Sequence, residues 1–581
     1  MSAPPEVLAG GRHAAAVREA SGNPTFEWTL TTTALRDLVK IVVQDRVLPV
    51  VFVPGIMGSN LMDLAGDPVW RLDTGLGGVP WSLARKVAPM GPGRRQRSMH
   101  PDRTQVDPNG QVPHTAVGTI AGRTRRDREA AYRERFWGEI GDSTYHPYLQ
   151  WLEDQLNGQG LNPATWASFS YAHPMMSAAP APGQPRPEPE LMRGQEMVVL
   201  GMAPGTGEKP LVPLMSDDLL KRARARMPVY ACGYNWLASN AVAARQLRDR
   251  IRHVIDVEGR RGNCEQVLLV THSMGGLVAR RCASLPGMGD VIAGIVHGVM
   301  PAVGAAVAYR RCKVGMRDED FKAGLVIGSN GREVTAVFAQ APGALQLLPS
   351  HQYRSGWLKF KDAQGRELEP APTGDPYAEI YLRRDRWWGL VREEWLRPTG
   401  GMPVSWADYE ENIGEARDFH DALRGSYHPN TYVYYGADDD VASFETVTWS
   451  MRQGLPPDSG LPPSAQAVRD MDAAGVRDSG SNPLYVGGRL EVVTGAGLGV
   501  PATYQSSYWE LVAERQDGGG DGTVPTSSGG SPMRHASQPA SIRQQFRLVG
   551  FKHEPSYNDE GARLVTLHCI QKIAAEAKSS S

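Results

Sequence analysis

The stretch VLLVTHSMGGLVAR, residues 267–280, decides the fold. Val267 to Val270 is an apolar, β-branched run of the kind buried on both faces of a parallel sheet. A helical pattern starts at Met274 and runs to Leu285, with no linker between the two. At the junction stands Thr271-His272-Ser273-Met274-Gly275-Gly276. A serine on so sharp a strand-to-helix turn lifts its hydroxyl above the sheet edge, where the helix's first N–H groups also point. The glycines let helix and strand pack closely. The spacing approaches G-x-S-x-G, with Thr271 in the place of the first glycine. Ser273 is therefore the candidate nucleophile. The plainer reading is a strand–turn–helix with a capping serine.

The surroundings extend the pattern. Leu48 to Val53, Val229 to Cys232, Ile292 to Val296, Tyr432 to Tyr435 and Phe546 to Val549 read as further strands. Helical spacing follows Asn240, at Val242, Leu247, Ile251, Val254 and Ile255, and recurs from about Asp559 to Ala577. Strand–helix alternation argues for an α/β protein with a mostly parallel sheet covered by helices on both faces.

At 581 residues the chain exceeds one ordinary domain unless a single core carries large insertions. We place the core in 46–61, 228–300, 430–444 and 508–578, after an N-terminal segment 1–45. Stretches 62–227, 301–429 and 445–507 read as insertions that cap the sheet's carboxyl edge. Within them, RRQR at 94–97 is basic, and AAPAPGQPRPEPE at 178–190 reads as extended chain.

Composition excludes several classes. The net charge of −1 gives no field for nucleic acid, and none is expected as a partner. Five cysteines without a C-x-x-C pair argue against a zinc site or a disulfide framework. The first residues lack a signal peptide's apolar core, so we expect synthesis in the cytoplasm and, if exported, a leaderless route. Val291 to Tyr309 carries no charge before Arg310 yet contains Pro301 and His297, and reads as a buried strand and small-residue loop.

Three further sites complete a candidate chemistry. Val53-Pro54-Gly55-Ile56-Met57-Gly58-Ser59-Asn60 follows the first strong strand. Acyl transfer puts negative charge on a carbonyl oxygen, which two fixed backbone N–H groups can hold. Met57 and Met274 are the candidates for this oxyanion hole. The candidate acid is Asp521, in Gly520-Asp521-Gly522-Thr523-Val524-Pro525, with Asp438, Asp439 and Asp440 as rivals behind the Tyr432 strand. The candidate base is His553, on the loop after the last strand. His568 reads as structural, and His272 as packing beside the nucleophile.

These residues resemble the lecithin:cholesterol acyltransferase-like lipases of the α/β-hydrolase fold. PVVFVPGIMGSNL, GYNWLAS at 233–239, the serine elbow, the GDGTVP turn and a late histidine occur in that family's order. The resemblance implies Ser273, Asp521 and His553 as triad, with Met57 and Met274 as oxyanion donors. Asn235 stands where the family has aspartate, and Thr271 where it has glycine. A weaker similarity is to GPI-inositol-deacylase-like lipases. Phospholipase effectors of bacterial type VI secretion draw on the same folds, are made without a leader and carry large caps. The resemblance thus implies a lipid or phospholipid substrate at a membrane surface, with an immunity or secretion-loading protein as partner. Acyl transfer to an alcohol, or silent binding of lipid or partner, are the alternative functions.

The cap leaves readings open. Trp387, Trp388 and Trp395 fit either an apolar lid or a cap core. Arg123, Arg125, Arg126, Arg128, Arg133 and Arg135 fit either anionic head groups or, with interleaved acids, a solvated helix. Asp318-Glu319-Asp320 and Asp438 to Asp440 are candidate Ca²⁺ ligands; no other cofactor is expected.

Overall fold

In the computed structural model, the described residues are 44–71, 90–157 and 214–578, apart from 215, 318, 320–327, 455–461, 488–489, 495–500 and 506–507. Three short strands stand outside those ranges, at 16–18, 24–26 and 203–204. The proline-rich stretch 178–190 lies outside the described residues, as do Asp318 and Asp320.

The apolar runs form one seven-stranded sheet. Its strands are β1 (Val50–Val53), β2 (Ala203–Pro204), β3 (Val229–Ala231), β4 (Val267–His272), β5 (Ile292–Gly298), β6 (Thr431–Gly436) and β7 (Ile542–Leu548). Their order is β3-β1-β4-β5-β6-β7-β2. Every neighbouring pair is parallel except β7–β2 at the edge. The order reverses at β1, because β3 adds on one side and β4 on the other. In an open α/β sheet the crevice at the carboxyl ends beside such a reversal is where ligands bind.

Alternation along the strands explains why both faces are covered. Val51, Val53 and Leu269 point into one apolar cluster, with α2 (Asn240–Gly259) and α3 (Gly275–Ala283). Val50, Phe52, Leu268 and Val270 point into another, with α1 (Asp142–Asn157) and α4 (Glu560–Glu576). The α/β-hydrolase architecture expected from the sequence is what the chain adopts. Val291 to Tyr309 divides into β5, a loop and the start of a helix, Ala306–Val314. Among the described residues no helix is long and apolar enough to cross a membrane.

Two boundaries need correction. The stretch 62–227 is not all cap, because α1 lies within it and lines the sheet. Tyr145, Tyr148, Leu149, Leu152 and Leu156 recur at helical spacing and are buried there. The core segment drawn from 508 begins with a strand, Trp509–Ala513, that belongs to a second, five-stranded sheet. That sheet joins Leu358–Lys361 to Val447–Gln453 in parallel, and so merges the second and third insertions into one cap.

The cap is continuous with the core. One apolar cluster runs from Val51 and Leu269 to Trp357, Trp387 and Trp449. Trp387, Trp388 and Trp395 are buried, so they build the cap interior and present no apolar lid to solvent. Trp387 Nε1 donates to Val468 O at 2.9 Å, and Trp388 Nε1 to Arg469 O at 2.9 Å. Arg125 to Glu134 form a helix with a Thr124–Asp127 capping box and a largely exposed face. Arg135, at its end, turns inward to Glu153 at 3.0 Å.

Candidate active site

Ser273 follows β4 at the carboxyl edge, with φ at 52°, a left-handed conformation that costs a non-glycine residue energy. Its N–H is held by Gly298 O at 2.9 Å, and the residue is 5% exposed. Gly275 is needed one turn on. A Cβ there would collide with the backbone carbonyl oxygens of Val53, which ends β1, and of Pro54, which follows it. Gly275→Ala should therefore push α3 off β1, costing about 2–3 kcal/mol by overpacking. A urea midpoint and the rate of fluorophosphonate labelling measure both losses; an unchanged midpoint would show the approach to be looser.

Thr271 does not crowd the turn. It lies within β4 beside His297 of β5, and its hydroxyl meets His297 Nδ1 at 3.0 Å. A glycine would leave that buried nitrogen unpaired. Asn235 has an equally specific reason. Its amide donates to Pro101 O, Thr104 O and Thr104 Oγ1 at 3.0, 3.0 and 3.2 Å, which a carboxylate cannot do.

The loop after β1 turns tightly beside the serine. Gly58 N–H donates to Gly55 O at 3.1 Å, and Met57 takes a positive φ of 63°. Met57 O is fixed by Trp70 Nε1 at 2.8 Å, and Pro54 O by Tyr234 OH at 2.9 Å. Among the described residues the N–H groups of Met57 and Met274 have no acceptor. Donors held in place and unspent are what an oxyanion needs.

His553 Nε2 lies 2.8 Å from Ser273 Oγ, and His553 Nδ1 lies 2.8 Å from Asp521 Oδ2. A carboxylate only accepts, so Nδ1 carries the proton and Nε2 faces the serine as acceptor. Asp521 is 1% exposed. Its Oδ1 accepts from Thr523 N–H at 3.0 Å and Val524 N–H at 2.7 Å. His553 N–H donates to Asp521 O at 2.6 Å, which ties the two loops together.

The rival acids do other work. Asp438 Oδ2 accepts from Gly550 N–H at 2.8 Å and Oδ1 from Asp440 N–H at 2.9 Å, bracing the loop that leads to His553. Asp439 and Asp440 stand on the same exposed edge. Glu319 pairs with Arg310 and Arg311 at 2.7 and 3.0 Å. Among the described residues no cluster of three or more His, Cys, Asp or Glu side chains is placed to hold a metal.

Some residues of this corner escaped the sequence reading. Ser443 Oγ accepts from Asp521 N–H at 3.2 Å and Gly522 N–H at 2.9 Å, fixing the acid's turn. Tyr145, from α1, reaches between Gly55, on the loop after β1, and His272. His272 is buried, and burial, with His553 nearby, holds its pKa down to about 3. His568 is buried in α4 and held near the same value, about 3, by burial.

Fold and site together define an α/β-hydrolase with a serine, histidine and aspartate in hydrogen-bonded series. No protein-family model and no curated protein matches the chain. Among solved structures it is similar to one described as "The crystal structure of Tle4-Tli4 complex". The identity is 29%, over 92% of this chain and 100% of that one, with a TM-score of 0.68.

Proposed function

We propose that this protein is a serine hydrolase of carboxylic esters, with a phospholipid or other acyl lipid as substrate. The observation that carries the reading is the unbroken contact series from Ser273 through His553 to Asp521. Ser273 Oγ attacks the ester carbonyl as its proton passes to His553 Nε2. Asp521 holds the Nδ1 tautomer and stabilises the imidazolium. The carbonyl oxygen gains charge and lies against the N–H groups of Met57 and Met274. The imidazolium then protonates the leaving alcohol, and water, deprotonated by the same nitrogen, releases the fatty acid.

The lipid substrate is supported by the resemblance to acyltransferase-like lipases along PVVFVPGIMGSNL, GYNWLAS and GDGTVP. A type VI secretion effector is the finer reading, and the shared fold and the large cap, which such phospholipases also carry, support it. The similar solved structure is a complex of two proteins, Tle4 and Tli4, and we extend to this chain a dedicated protein partner of its own.

The test is fatty-acid release from a panel of phospholipid vesicles, with triglyceride emulsion and soluble short-chain esters as controls. Release from phospholipid is expected. Release from short esters alone would retain the hydrolase and remove the lipid substrate.

A further inference from the structure

Tyr145 and His272 connect the two loops that flank the nucleophile. Gly55 N–H, on the oxyanion loop, donates to the Tyr145 hydroxyl at 3.1 Å. That hydroxyl lies 2.9 Å from His272 Nδ1, and His272 Nε2 lies 3.1 Å from the carbonyl oxygen of His553. A carbonyl accepts only, so the proton sits on Nε2. Nδ1 of the neutral ring then accepts, and the Tyr145 O–H donates to it. All the donors point one way along each half of this series, and none conflicts. One end lies two residues before Met57, and the other is the backbone of the histidine that meets Ser273.

We propose that Tyr145 and His272 are positioning residues, which fix the oxyanion loop and the His553 loop in a single frame around Ser273. The inference rests on the assignment of Ser273 and His553 made above. What sets this histidine apart is what its two ring nitrogens reach: the loop of Gly55 through the Tyr145 hydroxyl, and the backbone of His553. Charge also matters here. The His272 and His553 rings are 5.3 Å apart, so a charged His272 would oppose the imidazolium formed during attack. The groups facing His272 are Tyr145, His553 and Tyr557, whose ring stands edge-on at 5.0 Å. The Tyr557 hydroxyl in turn donates to Glu554 at 3.0 Å.

The experiment uses the full chain carrying Tyr145→Phe, His272→Gln or His272→Phe. Turnover of a soluble short-chain ester is expressed per site titrated with a fluorophosphonate. Tyr145→Phe should lower kcat about tenfold with KM unchanged, and His272→Phe about a hundredfold, as misplacement of reacting groups does. His272→Gln keeps an amide donor toward His553 O and should recover part of the loss. Stability alone would alter the number of titratable sites and leave kcat per site in place, with no recovery to see in His272→Gln; that result overturns the proposal. ¹⁵N NMR of His272 gives an independent reading. It should show the neutral Nε2–H tautomer from about pH 5 to 8, and protonation or the other tautomer overturns the connection whatever the turnover. If the parent takes no fluorophosphonate label, the assignment of Ser273 fails, and the NMR still decides the tautomer.

Discussion

Ser273→Ala should abolish fatty-ester turnover and fluorophosphonate labelling while leaving the fold in place. Alanine keeps the Cβ and the same left-handed backbone, and the N–H bond to Gly298 O at 2.9 Å survives. Only the Oγ contact with His553 is lost, so stability should change by about 1 kcal/mol or less. Removing the nucleophile of a comparable triad lowers kcat by roughly 10⁴ to 10⁶. What should remain is the stabilisation that the proposed oxyanion donors, the N–H groups of Met57 and Met274, would give to attack by water. Ser273→Gly should be equally inactive yet more stable than the parent by about 1 kcal/mol, because glycine adopts a φ of 52° without strain. An inactive variant that melts higher is the signature of strain held at a functional turn. Parent-like turnover by Ser273→Ala would remove the serine mechanism altogether.

The inner strands were legible because a strand buried on both faces must be apolar throughout, as VLLV and LPVVFV are; β7, IRQQFRL, carries two arginines and two glutamines, and only its end from Phe546 reads as a strand. The serine turn was legible because few residues fit between a strand and a helix so closely joined. α1 was hidden by its own composition. Its sequence, DSTYHPYLQWLEDQLN, carries Pro147 and few aliphatics before Leu149, and falls within the stretch read as cap until its tyrosines are seen against the sheet. The cap sheet was hidden for another reason. Its strands are short and pair across long separations, Leu358–Lys361 with Val447–Gln453, so no local window reveals them. Ser443 and Tyr145 serve backbone N–H groups, a role that any hydroxyl could fill and no motif marks. Asp521 and Asp438 were hard to separate because both acidic turns fold to one corner, where Asp438–Ser443 pairs with Gly518–Gly520. Only the distances separate them: Asp521 meets the ring of His553, and Asp438 meets the backbone of Gly550.

That separation yields the second large effect. Asp521→Asn should lower kcat about 10⁴-fold with little loss of fold, and Asp438→Asn should leave kcat per site near the parent's. The reason lies in the donors around Asp521. Thr523 N–H and Val524 N–H both point at Oδ1, so an asparagine must place its carbonyl oxygen there and its NH₂ toward His553. The opposite orientation would set NH₂ against two N–H donors in a site that is 1% exposed. Once the NH₂ faces His553, Nδ1 becomes the acceptor and the ring's proton moves to Nε2. That nitrogen then points a hydrogen at Ser273 Oγ and has no lone pair to receive the serine's proton. The catalytic groups remain in place with the wrong tautomer. Steady-state turnover of a soluble ester by the two variants, normalised to folded protein, checks the assignment. Equal and large losses would return Asp438 to the role of acid, and parent-like activity in Asp521→Asn would show that His553 needs no carboxylate to hold its proton.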